Sequence, residues 1–255
     1  VTGVQTCALP IFGKNGSGKS TLINTLVGNR FKDSGEISFF NQIISEKDKD
    51  YKEHVGVVFD DLRVPNKLTI TEIDKVFLNI FKHWNSDQFF NLIQSFELPK
   101  NNQISTFSRG MRMKAALAIA LSHETKLLIL DEATAGMDVS GREHVLEILE
   151  DYLGDDRAIL ISSHISEDIE QLATQLVFMR DGRIILKESK EVLLSQYGII
   201  DQPVEHFNIS NEYLIATRRR NNRQISLVNN YQKVPDAQPL KTIDDATKII
   251  MRGEV

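Results

Sequence analysis

The sequence predicts an α/β fold in which buried parallel strands alternate with helices, a helical subdomain interrupts the strand series, and a small α+β appendage follows. Three observations predict it. Gly13-Lys14-Asn15-Gly16-Ser17-Gly18-Lys19-Ser20-Thr21 fits the pattern G-x-x-x-x-G-K-[ST] at every required position, and a helix is expected to start at its end. Three short apolar runs, Val55 to Phe59, Leu127 to Leu130 and Ala158 to Ile161, each close on polar residues. Strands of a buried parallel sheet have that form, and ligands of open α/β sheets bind at their carboxyl ends. Between the runs lie segments with apolar residues at helical spacing.

The loop carries its own chemistry. Glycines permit backbone angles that a side chain would forbid, so successive N–H groups can turn around a polyphosphate. Lys19 brings a compact positive charge to the terminal phosphates, Ser20 offers a hydroxyl to Mg²⁺, and the helix that starts there turns its positive end to the anion. A nucleoside triphosphate is the implied ligand.

Composition narrows the rest. A chain of 255 residues with 41% hydrophobic content can bury one large α/β domain and a small appendage. A net charge of -5 gives no basic footprint for nucleic acid, so no nucleic-acid partner is expected. No uninterrupted apolar run approaches the ~18 residues of a membrane span, which leaves any membrane role to a partner. One cysteine, Cys7, excludes a disulfide framework and favours a reducing compartment.

Residues Val1 to Ile11 show neither a signal peptide nor the pattern of a strand. They can be spelled by codons that resemble a common high-throughput sequencing adapter. The expectation is a non-native segment fused to a truncated gene, with Cys7 foreign and the strand that feeds the loop largely missing.

After the loop, Leu22, Ile23, Leu26 and Val27 predict a helix from Ser20 to Val27, ending near Gly28. Gly35 to Phe40 reads as a strand and Ser45 to Lys52 as a charged surface loop. From Leu68 to Leu98 the pattern is helical, with Thr69 and Glu72 as a capping box and Pro99 as the stop. Trp84, between the two helices, reads as a packing residue. Thr106 to Arg112 opens another helix with Ala116, Leu117, Ala120 and Leu121 on its apolar face.

The strand Leu127 to Leu130 delivers Asp131 to hold Mg²⁺ through its water shell and Glu132 to orient and polarise the attacking water. Arg142 to Tyr152 is an amphipathic helix. His164 ends a strand expected to lie beside the one carrying Asp131 and Glu132. That placement favours a γ-phosphate contact over a structural histidine. Strands at Leu176 to Arg180 and Arg183 to Lys187 flank Asp181-Gly182 as a hairpin.

With these pieces in this order, residues Gly13 to about Tyr197 resemble the ATP-binding subunit of ATP-binding-cassette transporters, which have a P-loop NTPase core of the RecA-like type. The resemblance implies that Gly13 to Thr21 is the Walker A loop, that Asp131 and Glu132 close Walker B, that Asp138 lies in the D-loop, and that His164 is the switch histidine. Phe107 to Met111 occupies the place of the family's Leu-Ser-Gly-Gly-Gln signature. In that family two cassettes pair head to tail around ATP, so Ser108 and the helix N-terminus that includes Gly110 would face a nucleotide held by a second cassette, and Asp138 of the D-loop counts among the nucleotide-binding residues.

Three departures accompany the resemblance. Arg109 and Met111 replace the signature Gly and Gln. Asp60 stands where the family has the Q-loop glutamine, and it can accept toward Mg²⁺ or water but cannot donate. The aromatic residue that stacks on adenine would lie upstream of this sequence.

Val57 to Asp60, the Ser-Arg-Gly-Met signature and the helix with Trp84 look most like the ATPases of Gram-positive ABC-2 type exporters, which include relatives that export amphipathic peptides or confer resistance to them. The resemblance therefore implies an ATP-hydrolysing subunit at the cytoplasmic face of the membrane, docked on an ABC-2 type membrane subunit. Its expected layout is a cassette at 12–196, with a helical subdomain at about 62–115, and an accessory domain at 197–255. The rival readings are a soluble cassette ATPase acting on nucleic acid or ribosomes, and a binding-only regulator.

Beyond Tyr197, Glu205 to Ser210, Glu212 to Thr217 and Gln224 to Val228 read as short strands and Thr242 to Met251 as a closing helix. The run Arg218-Arg219-Arg220-Asn221-Asn222-Arg223 reads as a solvated hairpin tip in preference to an anionic-lipid or nucleic-acid contact.

Overall fold

The computed structural model describes residues 7–45, 47–132, 137–154, 156–163 and 170–253. The chain forms two compact units. One comprises residues 1–8 and 20–161, the other residues 9–19 and 162–255.

In the first unit, helix α1 (Lys19–Leu26) leaves the glycine loop. It ends where Gly28 adopts φ +78°, and the Asn24 carbonyl accepts from the N–H groups of both Asn29 and Arg30. The strand expected over Gly35 to Phe40 is shorter: β2 (Ser38–Phe39) pairs with β3 (Gln42–Ile43) across Phe40 and Asn41. Both turn residues have positive φ, the geometry of a tight hairpin turn, and it consumes residues that sequence pattern alone assigns to a strand.

Strands β4 (Val55–Val58) and β5 (Leu127–Asp131) run parallel, with Val58 opposite Leu130, and β6 (Ala158–Ser163) lies next to β5. Leu128, Ile129 and Leu130 are buried on both faces of the sheet, which is why β5 reads as an unbroken aliphatic run. β4 carries Gly56 because α4 crosses it closely: a Cβ there would stand 2.6 Å from the Ala120 carbonyl oxygen.

The helical insertion holds α2 (Ile70–Phe77), α3 (Ser86–Ser95) and α4 (Arg109–Leu121). The capping box of α2 forms as expected, with the Glu72 N–H donating to Thr69 Oγ1 and the Thr69 N–H donating to Glu72 Oε2. Trp84 is a packing residue. Its ring stacks on Phe77 with centroids 5.2 Å apart, and its Nε1–H donates to the buried Asp74 carboxylate at 2.8 Å. After β5, α5 (Val139–Tyr152) starts three residues earlier than expected because Asp138 caps it: the Asp138 carboxylate accepts from the Gly141 N–H at 3.0 Å.

In the second unit, β1 (Cys7–Phe12) reaches the loop and corrects the reading that Val1 to Ile11 lacks strand pattern. Its residues Ile11 and Phe12 pair in parallel with Val177 and Phe178 of β7 (Gln175–Arg180). Ile11 and Phe12 are buried, and the Phe12 ring stacks on Phe178 at 5.4 Å. Pro10 and the polar start of the segment hide this alternation from a reading by pattern.

β8 (Arg183–Ser189) returns antiparallel to β7 across Asp181 and Gly182, both at positive φ. Helix α6 (Lys190–Gln196) then leads to β9 (Gly198–Pro203), β10 (Leu214–Arg220), β11 (Arg223–Val228) and β12 (Gln238–Pro239). These four strands form an antiparallel sheet in the order β10-β11-β9-β12, and α7 (Ile243–Arg252) packs on it. Leu227, Ile243, Ala246, Ile249 and Ile250 centre its core.

The strand expected over Glu205 to Ser210 is absent: a turn of 3₁₀ helix at Val204–His206 stands there. β9 supplies the sheet's third strand instead. The arginine run straddles the β10–β11 turn, with Arg220 opposite Arg223 and Asn221 at positive φ, as expected for a hairpin tip.

Candidate nucleotide-binding site

The loop between β1 and α1 has the backbone that its glycines predict. Gly16 and Gly18 sit at φ +83° and +103°, a region that L side chains rarely enter. A Cβ on Gly18 would also press within 3.1 Å of the Met179 side chain. The Ser17 N–H donates to the Lys14 carbonyl at 3.0 Å and closes the turn. Lys19 is 5% exposed, and its ammonium donates to the Gly13 and Lys14 carbonyls at 2.7 and 3.1 Å. A buried cation in a glycine-bent loop at a helix N-terminus suits an anion of several charges. Ser17 Oγ is buried and has no hydrogen-bond partner among the described residues, so the loop retains polar capacity for a ligand.

In the first unit, Ser20 Oγ donates to Asp131 Oδ1 at 3.3 Å. A helix N-terminus has brought a hydroxyl and a buried carboxylate together, as the sequence reading requires of a shared cation site. Thr21 is exposed on the first turn of α1 and its carbonyl accepts from Thr25 Oγ1.

Glu132 follows Asp131 at φ +52°, in the left-handed region that a glutamate seldom occupies. Non-glycine residues held there cost of order 1–3 kcal/mol and cluster at functional sites. No sequence pattern announces that strain.

The other predicted residues fall as follows. Asp60 is exposed two residues beyond Val58, and Val58 pairs with Leu130, so Asp60 and Asp131 emerge at the same edge of the β4–β5 pair. Ser108 is the exposed N-cap of α4 and accepts from the Met111 N–H at 3.2 Å; Gly110 lies in the first turn. Asp138 caps α5. His164 lies outside the described residues, as do Ala135 and Gly136 of the D-loop.

One pair escaped the sequence reading. Arg112, on the first turn of α4, grips Asp61 with two hydrogen bonds, Nε to Oδ1 at 2.7 Å and Nη2 to Oδ2 at 2.9 Å. Burial raises the Asp61 carboxyl, but the Arg112 hydrogen bonds, the Leu62 N–H and the charges of Arg112 and Arg109 outweigh it, and the net effect lowers its pKa. The pair ties the polar end of β4 to the helix that Ser108 begins. The partners are 51 residues apart, and only the fold brings them together.

Comparison with known proteins agrees with this geometry. The family model described as ABC transporter matches residues 5–135. The lantibiotic transport ATP-binding protein SrtF of Streptococcus pyogenes is 31% identical over 211 residues, covering 82% of this chain and 86% of that protein. The linearmycin resistance ATP-binding protein LnrL of Bacillus subtilis is 28% identical over 216 residues, covering 82% of this chain and 69% of that one.

Among solved structures, cbiO1 from Clostridium perfringens, part of the ABC transporter complex cbiONQ, is 27% identical with a TM-score of 0.62, over 75% of this chain and 80% of that one. An ATP-binding subunit of an ABC transporter shares the fold at a TM-score of 0.69 and 23% identity, over 74% and 80% of the two chains. No helix among the described residues is long and apolar enough to cross a membrane. The chain belongs to the ATP-binding-cassette transporter family, as an ATP-binding and ATP-hydrolysing subunit.

Proposed function

We propose that this subunit powers an ABC-2 type exporter of amphipathic peptides or hydrophobic compounds, as one of two cassettes at the cytoplasmic face of the membrane beneath a separate membrane subunit. The observation that carries the motor part is the contact of Ser20 Oγ with Asp131 Oδ1, in a chain whose loop already buries Lys19.

Ser20 and Asp131 would hold Mg²⁺, with Asp60 as a further acceptor at the same strand edge. The ion supplies charge neutralisation to the phosphates when bound. Lys19 and the loop N–H groups bind and orient the triphosphate. Glu132 accepts a proton from, and aims, the attacking water, while His164 contacts the γ-phosphate. Ser108, Gly110 and Asp138 serve the nucleotide of the second cassette, since an exposed N-cap and helix N-terminus form an anion site.

The substrate class is supported by the names of two relatives, a lantibiotic transport ATP-binding protein and a linearmycin resistance ATP-binding protein. Docking is supported by an open, largely apolar cleft of about 280 Å³ whose walls include Val57, Leu62, Val64, Phe77, Phe81 and Ile119. Such a surface suits an apolar segment of a membrane partner. The helical subdomain at about 62–115 then transmits cassette closure to the transporter, and the domain at 197–255 is an accessory to the cassette at 12–196.

The experiment is to sequence the flanking DNA, co-express the chain with a membrane protein of about six apolar spans if one is encoded there, purify in detergent, and assay Mg²⁺-dependent ATPase. Co-purification and stimulation of turnover by an amphipathic peptide are expected. A cassette that ignores the membrane protein and sediments with ribosomes would overturn the reading in favour of the soluble rival.

A further inference from the structure

A polar cavity of about 520 Å³ opens against the first half of the phosphate loop, entirely within the second unit. Its walls are residues 14–17 of the loop, Arg180 and Asp181 at the end of β7, and residues 251–253 at the end of α7. β1 and β7 are parallel, so the cavity lies outside two neighbouring carboxyl ends, where open α/β sheets take their ligands.

Hydrogen bonds fix the three walls to one another. The Gly182 N–H donates to the Ser17 carbonyl at 2.9 Å and fastens the β7–β8 turn to the loop. Arg180 Nη1 donates to the Ile250 carbonyl at 3.0 Å and to the Gly253 carbonyl, satisfying groups that a helix C-terminus leaves open. Arg180 thus anchors the end of α7 beside the loop. Its exposed neighbour in the wall, Arg252, is held there without being consumed in that anchor.

The lining is electropositive. Lys14, Arg180 and Arg252 face one carboxylate, Asp181, whose side chain is 91% exposed and 3.9 Å from Arg180 Nε. The Ser17 hydroxyl, 4% exposed, has no partner among the described residues. A cationic wall with an unpaired buried hydroxyl, shared with a phosphate loop, is built for an anion.

We propose that Arg252, carried by the C-terminal helix, contacts the nucleoside triphosphate bound at the loop, so that the accessory domain forms one wall of the nucleotide site. This rests on the ATP-binding reading of the loop. The consequence is reciprocal: nucleotide holds the end of α7 in place, and displacement of α7 weakens nucleotide binding. No sequence motif points to Arg252, because the contact depends on how the tail folds back to the loop.

The test is calorimetric titration of ATP with Mg²⁺ into the full chain carrying Glu132→Gln, with added Arg252→Ala, Arg252→Glu or Arg252→Lys, and Lys19→Ala as the loop control. Amide exchange of residues 249–253 is followed with and without nucleotide. The expected results are about tenfold weaker binding for Arg252→Ala, the worth of one charge-assisted contact, a larger loss for Arg252→Glu, and near-complete rescue by Arg252→Lys. Nucleotide should slow exchange at the end of α7, and Lys19→Ala should abolish that slowing.

Binding within twofold of the parent for both Arg252→Ala and Arg252→Glu, with no change in exchange, would overturn the proposal while leaving the loop reading intact. Loss of Lys19 without effect on affinity would overturn both.

Discussion

The Asp61–Arg112 pair offers the sharpest energetic test of the packing around the helix that Ser108 begins. Asp61→Ala, Arg112→Ala and the double variant form a cycle that isolates the pair from each side chain's other contacts. The Arg112 side chain is 18% exposed and that of Asp61 57%, so water screens the acid but the guanidinium is largely enclosed. Two opposite charges about 4 Å apart gain ~1 kcal/mol in water and ~4 kcal/mol at a protein-surface dielectric. Ordering two side chains and partial screening reduce this, while the bidentate geometry raises the pair above the usual surface bridge. The expected coupling is ~1–1.5 kcal/mol at low salt, falling by about half in 0.5 M NaCl as the Debye length shrinks. Urea unfolding of the four proteins, followed by Trp84 fluorescence, measures it. A coupling below ~0.3 kcal/mol, or one indifferent to salt, would refute the claim that this contact joins β4 to α4 in solution.

Three further outcomes follow from named contacts. Gly56→Ala should destabilise by ~1–3 kcal/mol, since the added methyl meets a carbonyl of α4 that can move only with its helix; unchanged urea stability would contradict the close α4–β4 approach. Trp84→Phe keeps the ring stack but leaves the buried Asp74 carboxylate without its 2.8 Å indole donor, and should cost ~1–3 kcal/mol in urea unfolding followed by far-UV circular dichroism, because the variant lacks the chain's single tryptophan. Burial, with a smaller contribution from the His54 charge, lowers the His123 pKa from 6.5, although the Glu53 carbonyl bond and charge oppose this. Between the folded value and 6.5 the unfolded chain binds a proton that the folded chain refuses, so stability is full above that window and falls as pH drops through it. Thermal melts of His123→Gln should lose that part of the pH dependence, and an unchanged profile would contradict the assignment.

Much of the core was legible because its signals are local. The loop pattern fixed Lys19 and Ser20, the aliphatic run of β5 fixed Asp131, and Thr69 with Glu72 marked the start of α2. β1 was not legible, since its burial comes from pairing with β7 more than 160 residues away in sequence. The tail misled for a related reason. Glu205 to Ser210 has strand-like composition, but β9 occupies the sheet position beside β11, and the chain after Pro203 turns into 3₁₀ helix instead. The burial of Lys19 and the approach of Ser20 to Asp131 were readable from local pattern. The left-handed backbone of Glu132, the grip of Arg112 on Asp61 and the place of Arg252 beside the loop depend on tertiary contacts, which spacing does not encode.

Glu132 is proposed to act on the water that attacks bound ATP. The most direct test of that role is ATP turnover and ATP affinity of Glu132→Gln beside the parent protein. The amide keeps the shape of the side chain and removes its basicity, so turnover should fall by ~10²-fold or more while affinity stays within about threefold. Turnover equal to the parent's would contradict the account.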